Sequence, residues 1–183
     1  GICPTCPEFK EDRRQHLVSI LKRFEVDGVF LDYLHWHAQF ETPEPILPET
    51  CFCDRCTGMF SKEYNIDIPG DNIPDISEHI LTFYEAEWRE WRSSILTGWV
   101  TDLKQILKSH QPESSLGLFY CAWYPGEYDS ALYRIMGIDI NDFIREADVL
   151  SPMLFHLMKG RPVCWVGEYI NWLDSLVNTV SPG

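Results

Sequence analysis

The sequence predicts an α/β fold built on a parallel sheet, and three observations predict it. Short apolar runs rich in β-branched and aromatic residues alternate with segments of helical periodicity. Those runs are continuous, as in strands buried on both faces. Each run also ends, on its C-terminal side, in polar or aromatic residues. Of 183 residues 45% are hydrophobic, enough for one core and too few for two, so residues 1–183 read as one domain.

Pro7 suits a first-turn position, acids follow it, and Leu17, Ile20, Leu21 and Phe24 recur at helical spacing, which predicts a helix from about Pro7 to Phe24. The run "VDGVFLDYL" then reads as a buried strand beginning at Gly28. From His35 to Pro74 a proline-rich stretch carries three cysteines and one short helix near Cys53 to Tyr64, a long decorated loop of the kind that carries function. Ile80, Tyr84, Trp88, Trp91, Ile95, Trp99, Leu103 and Ile106 trace one face of a single helix from Ser77, its cap, to about His110. Strands at Ser115–Trp123, Ala147–His156 and Pro162–Ile170, with a helix around Asp139–Glu146, complete the pattern.

The strand ends choose between two architectures. They carry Asp32, Tyr33, His35 and Trp36, then Tyr120 to Tyr124, then Ser151 to His156, then Glu168 and Tyr169. In a (β/α)8 TIM barrel such ends converge on one site, whereas an open doubly wound sheet favours a glycine-rich phosphate loop. No GxGxxG or GxxxxGK is present. The expectation is a TIM-barrel type in incomplete form, with about four parallel strands, because a whole barrel takes about 250 residues. The chain also begins at Gly1 rather than Met, which suggests a processed or partial form.

A net charge of −13, with 15 Lys and Arg scattered among acids, argues against nucleic acid as a partner. No apolar run reaches the roughly 18 residues of a membrane span, and "GICPTCPEFKEDRR" lacks the order of a secretory signal. Seven cysteines, five of them at CxC or CxxC spacing, suit metal ligation in a reducing, cytoplasmic setting better than a disulfide framework.

The stretch "ETCFCDRCTGMF" places Cys51, Cys53 and Cys56 where one loop could give a zinc ion three thiolates of a tetrahedron. Cys3 and Cys6 are both candidates for the fourth. Four thiolates leave no open position, so such a zinc would be structural. Cys121 and Cys164, inside apolar runs, read as buried core thiols.

The order "CPTCPEF", a strand, "CFCDRC" followed by "MF", then "WREWR" and "WVGEY" resembles the zinc-containing β-galactosidases of glycoside hydrolase family 42 and a looser group of bacterial and archaeal glycosidase-like proteins. The resemblance implies that Cys3 is the fourth ligand and that the strands correspond to the fourth to seventh of a barrel. It implies a glycoside hydrolase acting on an oligosaccharide or glycoconjugate, with zinc and no organic cofactor.

Glycoside hydrolysis uses two carboxyl groups on opposite sides of the scissile bond. Asp32 and Glu168 are the expected pair, since each ends an apolar run where a barrel places its chemistry. Glu168 falls where that family carries its nucleophile. "LDYLHW" has Asp-Tyr where the family has Asn-Glu, so Asp32 stands as acid/base, with exchange of roles open and Glu41 as a substitute acid. Retention is expected. Tyr33, His35, Trp36, Tyr120, Trp123, Met153, His156 and Trp165 are the expected substrate-binding residues, the aromatics stacking on sugar rings and the histidines bonding hydroxyls. The alternative is a partial barrel that binds carbohydrate without turnover or works only when assembled, because a short parallel sheet exposes its edges and needs neighbours from a homo-oligomer or from a missing N-terminal segment.

Overall fold

The computed structural model describes residues 2–181. Seven helices and three strands are present among them, in the order α1 (Pro7–Leu21), β1 (Gly28–Leu31), α2 (Asp54–Tyr64), α3 (Ile73–Phe83), α4 (Glu85–His110), β2 (Ser115–Cys121), α5 (Ala131–Arg134), α6 (Ile140–Glu146), β3 (Val149–Met153) and α7 (Cys164–Val180). The strands form one all-parallel sheet in the order β1-β2-β3.

Parallel neighbours require crossovers, and helices supply them. Pro7 opens α1, Glu8 sits in its first turn, and Leu17 and Leu21 face the core. The turns that feed β1 and β2 are tied together by Gln111, which accepts from the Val26 amide and donates to the carbonyls of Leu21 and Phe24. Ser114 adds a hydroxyl bond to the Val26 carbonyl. These bonds set the register Gly28↔Ser115, and Gly117↔Val149 continues it into β3.

The sheet has two unlike faces. Leu116, Leu118 and Tyr120 are fully buried beneath helices, and α4 runs across this side with Trp88, Leu96, Val100, Leu103 and Leu107 inward. On the other face Phe30, Phe119 and Val149 remain 45%, 37% and 42% exposed, so no helix covers it among the described residues. Phe30 and Phe119 meet at 4.9 Å between ring centroids. Phe30 lies over Gly117, where a Cβ would come within 2.3 Å of its ring.

Two expectations are corrected. The helix foreseen from Ser77 to His110 is two helices, α3 and α4, parted at Tyr84, whose backbone (φ −138°, ψ 28°) ends one and begins the other. Asn72, not Ser77, caps α3 by accepting from the Asp75 amide at 3.0 Å. The fourth strand is α7: Trp165, Tyr169 and Leu173, four residues apart, form its buried stripe. The sheet therefore holds three strands, and a closed barrel is not present among the described residues.

Candidate functional site

Four sulfurs gather where the start of α1 meets the start of α2. Those of Cys3, Cys51, Cys53 and Cys56 all lie within 4.8 Å of one another. Cys3 Sγ stands 3.3 Å from Cys56 Sγ and 4.0 Å from Cys53 Sγ. Zinc bonds of about 2.3 Å in a tetrahedron give sulfur separations of about 3.8 Å, so the cluster brackets what an ion needs. Cys6 is outside the group, with its thiol donating to Glu8 at 3.2 Å. The chemistry of the donor set suits a soft divalent metal.

Local structure explains the gathering. Cys53 is the N-cap of α2, which aims Cys56 back across the first turn. Phe52, between two of these cysteines, stacks on Trp88 of α4 at 5.1 Å, and Trp99 donates to the Pro4 carbonyl at 2.9 Å, so α4 holds both cysteine segments. The hydrogen bond from the Cys56 thiol pulls the Cys51 pKa down, helped by the Cys53 amide, and the same bond pushes the Cys56 thiol up. Beside them Arg92 is fully buried, bonded to the carbonyls of Arg134 (2.8 Å) and Ile135 (2.6 Å). Burial, with Arg89 close by, lowers the Arg92 pKa to about 9, opposed by the negative charge of Glu49 and of Cys51.

At the C-terminal edge of the sheet, Asp32 follows β1 on the uncovered face. It borders a cavity of about 350 Å³ with Phe119, Ser151, Met153 and Phe155. Phe119 and Ser151 are register partners and point the same way, as parallel pairs do. Asp32 Oδ1 accepts the Tyr33 amide at 2.8 Å, and Tyr33 itself is exposed with φ 54°. The chain then turns through His35, whose Nδ1 lies 2.6 Å from the Trp36 carbonyl and must donate to it, because a carbonyl only accepts. His35 Nε2 is buried without a partner. Burial lowers the His35 pKa, while the bond to the Trp36 carbonyl and the charges of Asp32 and Glu41 pull the other way. A second cavity, about 810 Å³, is lined by Tyr33, His35, His37 and Glu41 on one side and by Cys3 and Cys51 on the other.

Asp32 shares one cavity with Met153 and another with Tyr33 and His35, and the four expected cysteines come together. It does not bring Asp32 and Glu168 together. Tyr169 of α7 donates to Tyr120 at 3.2 Å on the helix-covered face, so α7 and the neighbouring, exposed Glu168 lie on the other side of the sheet from Asp32. Glu168 stands on a helix, not at a strand end, because the run "CWVGEYI" folds with helical period.

Four expected platforms are core residues. Trp36 is buried, donates to the Arg92 carbonyl at 3.0 Å and carries the Arg92 guanidinium 4.9 Å over its ring. Trp123 is buried against Phe40 and Tyr128, Tyr120 under Tyr169, and Trp165 against Tyr169 on α7. His156 is occupied within its own turn, with Nδ1 3.2 Å from the Arg161 carbonyl. Cys121 is buried as expected, whereas Cys164 is exposed at the start of α7. Phe119 and Phe155 were missed; side-chain alternation along β2 is the signal that would have put Phe119 beside Asp32.

No protein-family model matches this chain, and no curated protein matches it. Among solved structures the fold is similar to the PgaB (BpsB) glycoside hydrolase domain from Bordetella bronchiseptica, with a TM-score of 0.68 and 13% identity, over 98% of this chain and 46% of that one. The chain thus spans just under half the length of that neighbour. The likeness supports a glycosidase-like fold and carries nothing specific to the zinc β-galactosidases.

Proposed function

We propose that the chain is part of a glycosidase-like domain acting on carbohydrate, with Asp32 as one of its two working carboxyl groups. The observation that carries this reading is the position of Asp32: at the C-terminal end of a parallel strand, exposed, in a cavity edged by aromatic rings and the Ser151 hydroxyl. The fold shared with a glycoside hydrolase domain supports it. Flat C–H faces of a sugar stack on Tyr33, Phe119 or Phe155, and Ser151 and His35 offer hydroxyl partners.

In this reading Asp32 is the acid/base, with Oδ1 held by the Tyr33 amide and Oδ2 turned to substrate. Glu41, on the same loop and in the cavity with Tyr33 and His35, takes the place first given to Glu168. A retaining pair needs its carboxyls about 5–5.5 Å apart and an inverting pair about 6.5–9.5 Å. Bound zinc would sit on Cys3, Cys51, Cys53 and Cys56 and hold the loop that walls the cavity, apart from the chemistry. Turnover of a panel of chromogenic aryl glycosides, lost in Asp32→Asn with folding intact, tests the reading; full activity in that variant overturns it.

A second reading is favoured by one observation: the cavity at Asp32 contains no other carboxylate among the described residues. Here the chain binds carbohydrate without turnover, or completes its site only when further strands, from a second copy or another segment, cover the Phe30–Phe119 face. Saturable binding of an oligosaccharide with no turnover on the same panel would select it.

A further inference from the structure

We propose that Thr5 is a positioning residue for the metal centre, its hydroxyl hydrogen-bonding the thiolates and offsetting their charge. This rests on the reading of the four cysteines as a metal site. Thr5 Oγ1 lies 3.1 Å from Cys3 Sγ and 3.4 Å from Cys56 Sγ, while those two sulfurs are 3.3 Å apart. A single hydroxyl thus faces both the N-terminal ligand and the ligand on α2.

The chemistry follows from charge. Four thiolates around a divalent ion carry a net charge of −2, and here Cys56 is fully buried while the other three are half-buried, so water is kept from part of that charge. A hydroxyl has one proton to donate, and a thiolate is a better acceptor than a neutral thiol. The Thr5 proton therefore goes to Cys3 or Cys56 when metal is bound, and it lowers the free energy of the loaded state more than that of the empty one. Groups that bond metal ligands from outside in this way typically change metal affinity about 10- to 100-fold. The same bond withdraws electron density from sulfur and protects it from alkylation. Thr5 is not itself a ligand, and nothing in the CxCxxC spacing points to it.

Thr5→Val replaces the hydroxyl by a methyl of nearly the same shape, and Thr5→Ser keeps the hydroxyl. In competition with a chromogenic chelator, Thr5→Val is expected to bind zinc about 10-fold or more weakly than the wild type, with Thr5→Ser close to wild type. Iodoacetamide should alkylate the zinc-loaded Thr5→Val centre faster, and the sulfur-to-metal charge-transfer band of its cobalt form should shift. In wild-type protein loaded with an NMR-active cadmium isotope, the Thr5 hydroxyl proton should show a scalar correlation to the metal through sulfur, a readout that needs no variant. Equal affinity and alkylation rate in Thr5→Val and wild type, or no such correlation, overturns the proposal while the metal site stands. Wild-type protein that binds no metal overturns both.

Discussion

Arg89 grips Glu49 with both terminal nitrogens, Nη1 to Oε2 at 2.6 Å and Nη2 to Oε1 at 2.7 Å, two residues ahead of Cys51. Arg134 holds the same carboxylate at 3.0 Å. The Arg89 side chain is 5% exposed and that of Glu49 29%, so the pair is mostly but not wholly removed from water. Glu49→Gln leaves the buried guanidinium with Glu85, 3.1 Å from Nη2, as its one carboxylate partner, and after discounting for partial exposure should cost about 1–3 kcal/mol. A urea titration read by tryptophan fluorescence checks this. An unchanged midpoint would show that the clamp contributes nothing.

The position of the acids gives a sharper test of the site. Asp32→Asn and Glu41→Gln should each reduce aryl-glycoside turnover by about 100-fold or more, as loss of an acid/base or nucleophile does. Glu168→Gln, across the sheet, should turn over at the wild-type rate. Loss of activity in Glu168→Gln alone would restore the pairing first expected.

The protein should carry one zinc per chain by atomic emission. Cys51→Ser and Cys56→Ser should lose it, whereas Cys6→Ser and Cys121→Ser should keep it. Stripping the ion with a strong chelator should lower Tm and let a thiol reagent reach Cys3, Cys51 and Cys53.

Burial disfavours a charged imidazole and lowers the His35 pKa from its usual value near 6.5. In the unfolded chain His35 takes up its proton at higher pH than in the folded one. Its contribution to stability is therefore complete above about pH 6.5 and is lost as pH falls through the lowered folded value. His35→Gln should flatten the slope of unfolding free energy between pH 7 and pH 5. An identical slope in the variant would place the acid sensitivity elsewhere.

The bare sheet face predicts behaviour in solution. Phe30 and Phe119 should bind a hydrophobic dye, and Phe30→Ser combined with Phe119→Ser should reduce that signal with a stability cost below that of a core truncation. If the pair costs several kcal/mol, the face is covered in solution and the assembled reading gains.

Much of this architecture was legible in the chain. Helix α1, the short helix after Cys53, the three parallel strands and the helix capped by Asp139 fall close to where periodicity, caps and β-branched runs put them. The misread segment shows the limit: "PVCWVGEYI" is short and apolar, and over nine residues helix and buried strand look alike. Extending the window to Leu173 exposes the four-residue spacing of Trp165, Tyr169 and Leu173. The break at Tyr84 has no glycine or proline to announce it. Cysteine spacing found three members of the sulfur cluster because they are neighbours in one loop. The partners of Asp32 were harder, because they come from strands about 90 to 120 residues away, and which way each side chain points depends on register, a property of pairing rather than of any local stretch.

Cys3 and Cys56 are separated by 53 positions, yet their sulfurs nearly touch. Spanning them with an ion closes a covalently continuous ring that contains α1, β1 and the whole Asp32 loop. On the chain-entropy account of cross-links, a ring of that size restrains the unfolded polymer by about 4 kcal/mol. Removing such an ion would thus act on the topology of the chain: the ring opens, the N-terminal tether slackens, and the wall behind Tyr33 and His35 loses that restraint.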